Sequence, residues 1–356
     1  ILELLRYGAR VTVVANRAAL ELVGEKSLEF ACGKPIIKEI TGQVEHVIAG
    51  HEADLLMITP CCATSLGKMV NGIGDNPPML VALTCIGAKT PMIVAPAMDK
   101  NMSDSDIVQK NMKSVKKFAN VIEPVMIEGK AKLPSKERLV AEACKMAGPK
   151  SLDRKKVLIM GGGSSEPIDD VRVVSNRSSG RMAISLAESA FAMGADVDLW
   201  LGNASYECGN WIKTTRFEAL SKLRSLVKGM KRYDAIVVPA ALSDFIPEQA
   251  KGKLDSAKPI TLKMKKAPKI INGIRKKHKG LLYVFKLGAR ISEKELLAKA
   301  KVLLKNANCV IANHSKSIGS DKSKVAIIDK KNIEWISGSK VEISNKILDK
   351  IASELN

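Results

Sequence analysis

The sequence predicts an α/β protein of two tandem domains, each built on a mainly parallel sheet. Three observations carry that expectation. The chain has 356 residues, room for about two domains of ~150 residues. Its strand-like segments are short apolar runs that end on small or turn-forming residues, the pattern of strands buried on both faces. Helical patterns separate those runs, as βαβ units require.

In the first half, VTVVAN (11–16), ADLLMITP (53–60) and PMIVAPAM (91–98) read as parallel strands carrying functional residues at their carboxyl ends. The opening ILELLRYGAR reads as a helix feeding the first of them, so the start of a fold is expected before Ile1. A Lys/Pro/Gly-containing connection (127–135), a short helix (136–147) and the linker GPKSLDRK follow, which divides the chain into domains 1–148 and 149–356. In the second half, KVLIMGGGSSEPID is a strand entering a Gly-rich turn, and RMAISLAESAFAMGADVDLWLG is a helix, a Gly stop and a strand. YDAIVVPAALSDF, LYVFKLGA and NCVIANH supply three more strands, VAIID and KNIEWISG a terminal hairpin, and 341–355 a closing amphipathic helix.

Composition narrows the function. Hydrophobic residues are 46% of the chain and charged residues 26%, so it buries real cores and is not a disordered chain. No apolar run approaches the ~18 residues of a membrane-spanning helix. Lys and Arg number 57 against 37 Asp and Glu, a net charge of +20. That balance fits either a nucleic-acid binder with a basic face or an enzyme with a Lys-rich surface and anionic substrates. The charge is dispersed along the chain and aromatic residues are only 4%, which disfavours base stacking and a nucleic-acid partner. Seven cysteines without a CxxC pair support neither a disulfide framework nor a zinc site, and point to a reducing cytoplasm.

Two segments of the second half suit an anionic ligand. Gly161, Gly162 and Gly163 let backbone approach a ligand and expose N–H groups. The Gly cluster alone is weak, since it has neither GxGxxG nor GKS spacing. VRVVSNRSSGRM (171–182) adds amide and hydroxyl donors and the cations Arg172, Arg177 and Arg181. Together, GGGSSEPIDDVRVVSNRSSGRM resembles the signature of phosphopantothenate–cysteine ligases. AALSDF (240–245), GKL (252–254) and IGSDKSKVAIID (318–329) resemble further motifs of that family in the same order. The resemblance implies a Rossmann-like domain that joins 4′-phosphopantothenate to cysteine through an acyl-nucleotide, using CTP or ATP with Mg²⁺. By position, Asn176 would polarise the activated acyl group and Lys253 would meet the triphosphate. Gly162, Gly163, Asp244 and Phe285 would contact the nucleotide, and Arg172, Ala240 and Ala241 the substrate. No residue is assigned to the metal.

In the first half, TPCCATSLGKMVNGIGDN (59–76) leaves a strand end and enters a helix, offering hydroxyls and N–H groups at the sheet's carboxyl edge. His46 and His51, five residues apart, are about 140° apart around a helix, which disfavours a shared metal. With PAMDKNM (96–102), the order resembles phosphopantothenoylcysteine decarboxylases, flavodoxin-like flavoproteins. That resemblance implies FMN as cofactor and His46 as the acid–base residue during oxidation of the substrate thiol, after which CO₂ is lost and the electrons return. Asn16, Pro60, Cys62 and Ser65 fall on flavin-contacting positions; Met98, Asp99 and Met102 fall on substrate-gripping ones. Asp99 stands where the family has Asn, Thr64 replaces another Asn, and the segment IEPVMIEGKAKLP lacks the Cys that often serves as proton donor.

The tandem order is that of bifunctional coenzyme A biosynthesis enzymes, whose substrates are small molecules and which assemble as homo-oligomers, a trimer or a dodecamer of decarboxylase trimers and ligase dimers. Two readings compete with it: a ligase carrying a non-catalytic flavin-binding or regulatory N-terminal domain, and a basic nucleic-acid-binding α/β protein.

Overall fold

The computed structural model describes residues 1–255, 259–314 and 322–355. It separates into two compact units, Ile1–Pro149 and Lys150–Asn356. Among the described residues the first unit has strands β1 (Leu56–Cys61), β2 (Met92–Pro96), β3 (Met98–Asp99), β4 (Asn120–Val121), β5 (Val125–Ile127) and β6 (Lys130–Lys132). A parallel sheet has the order β1-β2-β4, and an antiparallel one the order β3-β6-β5. Helices Ala63–Asn71 and Pro77–Ala88 connect β1 to β2. The second starts where a start signal stands: Asn76 accepts a hydrogen bond from the Met79 N–H, and Pro occupies the first turn. Leu66, Met69, Val81 and Cys85 from these helices pack with Met92 and Val94 of β2 in one apolar core.

Three expectations are corrected here. The 11–16 run is not a full strand. Its ladder is a single bridge, Val14 to Ile37, with the Ala15 N–H donating to Ile37 O and the Ile37 N–H to Val13 O, both at 2.9 Å. Val14 still packs against the core, which is why the run is apolar. The 91–98 run breaks at Pro96, which has no N–H to donate, and Met98 pairs instead with Ala131 of β6. The supposed connection at 127–135 begins inside a hairpin, since Glu128 and Gly129 both adopt positive φ (51° and 70°) and reverse the chain in two residues.

The second unit adds β7 (Lys156–Gly161), β8 (Ser165–Pro167), β9 (Val173–Ser175), β10 (Asp196–Leu201), β11 (Lys213–Arg216), β12 (Ala235–Val238), β13 (Phe245–Pro247), β14 (Met264–Lys266), β15 (Leu281–Gly288), β16 (Cys309–His314), β17 (Lys322–Ile328) and β18 (Ile333–Ser339). Eight of them form one sheet in the order β11-β10-β7-β12-β15-β16-β17-β18. Pairing is parallel from β11 to β16 and antiparallel from β16 to β18. After β7 the chain builds β10 and β11 on one side, then returns to place β12 on the other. The crevice beyond the carboxyl ends of β7 and β12 is therefore the point where strand order reverses, where α/β sheets bind ligands. Of the 318–329 motif, residues 318–321 lie outside the described residues; Lys322–Ile328 form β17 and Asp329 follows it.

Helix Arg181–Ala192 covers β7 closely. A Cβ added at Gly161 would lie 2.0 Å from the Ala183 Cβ, and Ala183 is 1% exposed. Gly161 thus serves helix–strand contact, and Gly161→Ala is expected to cost about 1–3 kcal/mol by overpacking. A lowered urea midpoint for the full chain checks this; an unchanged midpoint refutes it.

Candidate functional site

A cavity opens at the carboxyl edge of the eight-stranded sheet. It is lined by Gly162 after β7, Pro239, Ala240 and Ala241 after β12, Phe285 and Leu287 of β15, Asn313 of β16, Val325 of β17, Lys340, and the 177–183 segment. Local hydrogen bonds tie its walls together. The Ala241 N–H donates to Gly162 O (2.9 Å) and the Gly163 N–H to Asn203 O (2.8 Å). Ser164 Oγ lies 2.9 Å from Ser243 Oγ and accepts from the Ser243 N–H. Gly162 adopts φ +76°, and a Cβ there would meet the Gly202 backbone at 2.8 Å, so only glycine allows this crossing.

Among the described residues the lining contains Arg177, Arg181 and Lys340 and no acidic residue. The Arg181 guanidinium lies over the Tyr206 ring, 4.9 Å from its centroid, and Lys340 Nζ donates to Ser323 Oγ at 2.5 Å. Helix Arg181–Ala192 starts at Gly180, which has no side chain to cap it, so its first-turn N–H groups add the positive end of a helix dipole. Three cations, open amides and no carboxylate among the described lining residues suit an anion, with an aromatic side chain, Phe285, in the wall.

Gly162, Ala240, Ala241 and Phe285, all anticipated from sequence, line the cavity. Asn176 borders it, its Nδ2 donating to Ala241 O at 3.0 Å. Gly163 stands against Asn176, whose carbonyl oxygen would lie 2.9 Å from a Cβ at that glycine. Three other candidates lie outside the lining. Arg172 Nη1 donates to Asp169 Oδ2 and Leu254 O, both at 3.2 Å. Asp244 pairs with Lys269 Nζ at 2.5 Å. Lys253 is exposed, on the segment that Arg172 contacts. Sequence reasoning named none of Lys340, Asn313 and Val325 as a site residue, although Val325 stands inside the 318–329 motif and Asn313 inside the strand NCVIANH. No group of three or more His, Cys, Asp or Glu is placed to hold a metal among the described residues.

In the first unit, His46 lies in helix Glu45–Glu52. Its Nδ1 is buried with no hydrogen-bond partner, whereas His51 is exposed. Hydrogen bonds from the Thr41 hydroxyl and N–H hold the neighbouring Glu45 carboxyl below its ordinary pKa. Pro60 lies near the carboxyl end of β1, and Cys62 and Ser65 follow it; Met98, Asp99 and Met102 follow β2, its parallel neighbour. Cys62 stands at the N-cap position of helix Ala63–Asn71 without a side-chain cap bond, its Sγ 3.3 Å from Ser65 Oγ. Burial raises the Cys62 pKa, but hydrogen bonds from Ser65 and Thr64 outweigh it and leave the thiol below its ordinary value. The adjacent Cys61 is pushed up to about 12 by burial. Asp99 Oδ1 accepts from the Asn101 N–H (2.9 Å) and Asn16 Oδ1 from the Ala19 N–H (2.9 Å). Both are helix caps, a role Asp and Asn fill equally well, so Asp99 loses nothing as a cap where the family has Asn.

Comparison with known proteins assigns both units. Residues 1–148 match the family model Flavoprotein, and residues 152–355 match the DNA/pantothenate metabolism flavoprotein C-terminal domain. The coenzyme A biosynthesis bifunctional protein CoaBC of Thermococcus kodakarensis is 37% identical, over 99% of this chain and 90% of its own. The protein of that name from Methanocaldococcus jannaschii is 36% identical, over 98% and 88%. In fold, the chain is similar to the DNA/pantothenate metabolism flavoprotein of Streptococcus pneumoniae (TM-score 0.51, 24% identity), which covers 56% of this chain and 99% of its own. With two family models in tandem and more than a third of its residues shared along nearly its whole length, the chain belongs to the CoaBC family of bifunctional coenzyme A biosynthesis enzymes.

Proposed function

We propose that residues 150–356 ligate 4′-phosphopantothenate to cysteine with CTP, and that residues 1–149 decarboxylate the product to 4′-phosphopantetheine with FMN. The observation that carries the first half is the cation-lined cavity at the strand-order reversal, with the N-terminus of helix Arg181–Ala192 in its wall. The substrate carboxylate attacks the α-phosphorus and pyrophosphate leaves. The cysteine amine then attacks the acyl carbon and the nucleoside monophosphate leaves. Arg177, Arg181 and Lys340 bind phosphate charge that grows on the leaving group. Asn176, fixed to Ala241 O through one amide hydrogen, directs its other N–H at the acyl oxygen. Mg²⁺ would be held by phosphate oxygens of the nucleotide and by water, and would supply positive charge to the departing pyrophosphate.

The first unit fits a flavin on its own atoms. A buried ring nitrogen without a partner is costly, and His46 Nδ1 is in that state, so it has bonding capacity for a group the chain does not supply. Pro60, Cys62, Ser65 and Asn16 would hold FMN, and Met98, Asp99 and Met102 the substrate. The bound flavin would supply a reversible two-electron acceptor for the thiol. His46 moves the proton, and the β5–β6 hairpin, paired to Met98 and Asp99 through β6, shields the site from water.

No helix among the described residues is long and apolar enough to cross a membrane, and the free cysteines fit a reducing cytoplasm. Assembly into a homo-oligomer, a trimer or a dodecamer, belongs to the same reading. The test is direct. Protein incubated with phosphopantothenate, cysteine and CTP or ATP should yield the cysteine adduct and its decarboxylated product by mass spectrometry. Absence of both with either nucleotide refutes the reading.

A further inference from the structure

The hairpin between β8 and β9 does something that its motif did not indicate. At its tip, Asp169 is 2% exposed although it carries a carboxylate. Its Oδ1 accepts from the Val171 and Arg172 N–H groups at 2.8 and 2.6 Å, closing the local turn. Its Oδ2 reaches across the chain to accept from the Leu254 N–H at 3.0 Å, and from Arg172 Nη1 at 3.2 Å. The same Arg172 nitrogen donates to Leu254 O. One residue on, Asp170 Oδ2 accepts from the Gly252 N–H at 3.0 Å, while the Asp170 N–H donates to Gly252 O at 3.3 Å. Further back, the Ala250 N–H donates to Ile168 O at 2.9 Å. The backbone is thus fastened on both sides of residue 253. Lys253 itself is exposed, and its side chain has no hydrogen bond or ion pair among the described residues.

We propose that Asp169, with Asp170 and Arg172, is a clasp that positions Lys253, so that the lysine enters the ligation step with only its side-chain rotors free. This rests on the reading of Lys253 as the cation that meets the triphosphate. The chemistry of the clasp follows from the two oxygens of Asp169. A buried carboxylate is costly unless every lone pair is used. Here one oxygen serves its own turn and the other serves residue 254, which ties a distant segment to the hairpin that leads into Asn176. Arg172, anticipated as a substrate contact, is a positioning residue in this arrangement.

Asp169→Asn separates the two halves of the clasp. The amide oxygen can still accept from Val171 and Arg172, but the NH₂ group would face the Leu254 N–H, donor against donor. In the full chain, native-state trypsin cleavage after Lys251 and Lys253 should accelerate in this variant while cleavage elsewhere is unchanged. Equal rates overturn the clasp whatever Lys253 does. Ligation should lose about tenfold in kcat/KM for CTP, with KM for cysteine unchanged. In a Lys253→Ala background, Asp169→Asn should have no further effect on ligation; an additive loss overturns the proposal. If Lys253→Ala alone ligates at the wild-type rate, the role of Lys253 in ligation falls, and the proteolysis result still decides whether the clasp exists. Asp170→Ala, which removes an exposed carboxylate and the Gly252 bond, is the milder second variant should Asp169→Asn not fold. It should show the same acceleration after Lys251 and Lys253, and unaltered cleavage there counts against the clasp.

Discussion

Substituting His46 by asparagine should lower CO₂ release by about 10²–10⁴-fold, the span of a lost general acid–base group. The cysteine adduct should then accumulate. The reason lies in one atom: Nδ1 of His46 is enclosed without a partner. A nitrogen in that position adds no hydrogen bond to the fold and costs desolvation, as expected of a group that meets a ligand in the proposed reaction. Asparagine keeps a polar atom near the same place and cannot titrate. Flavin absorbance on the purified variant should therefore persist while headspace CO₂ disappears. Undiminished CO₂ would remove His46 from the reaction. Loss of flavin together with activity would make it a binding residue instead. Survival of all coenzyme A precursor synthesis in the variant would favour a first unit that only regulates.

Asn176→Ala should separate the two chemical steps of ligation. Pyrophosphate should still form, because the cations of the cavity are intact, but amide formation should fall by about 10²–10³-fold, the effect of removing one oxyanion donor. The Nδ2 bond to Ala241 O fixes the amide plane, so the alanine variant loses both the donor and the brace that aims it. Pyrophosphate release measured beside adduct formation by mass spectrometry checks the split. Equal loss of both would place Asn176 in nucleotide binding, and unchanged product would exclude it.

The parts of this protein legible in its sequence are those whose chemistry is local. The second half's apolar runs became β7, β10, β12, β15 and β16, and the small residues that end β7 and β12 proved to be walls of the cavity. What stayed hidden depends on partners far along the chain. Asp244 reads as a nucleotide contact until Lys269, 25 residues later, is found on its carboxylate. Arg172 reads as a free cation until Asp169 and Leu254 take it up. Lys340 is one more lysine in a Lys-rich chain, and only the fold carries it from the end of β18 to the cavity. The 11–16 run failed for a different reason: apolarity reports burial, and Val14 is packed against the core without a ladder around it.

The neighbouring thiols at the end of β1 have a practical consequence. Burial raises the pKa of Cys61, Cys85, Cys144, Cys208 and Cys309, while Cys62 alone is lowered and exposed. Because the thiolate is the form that alkylates, the native chain carries a built-in reporter at the position proposed to meet the flavin. Mild iodoacetamide footprinting read at that single side chain would register occupancy by shielding, in cell extract and without any engineered label.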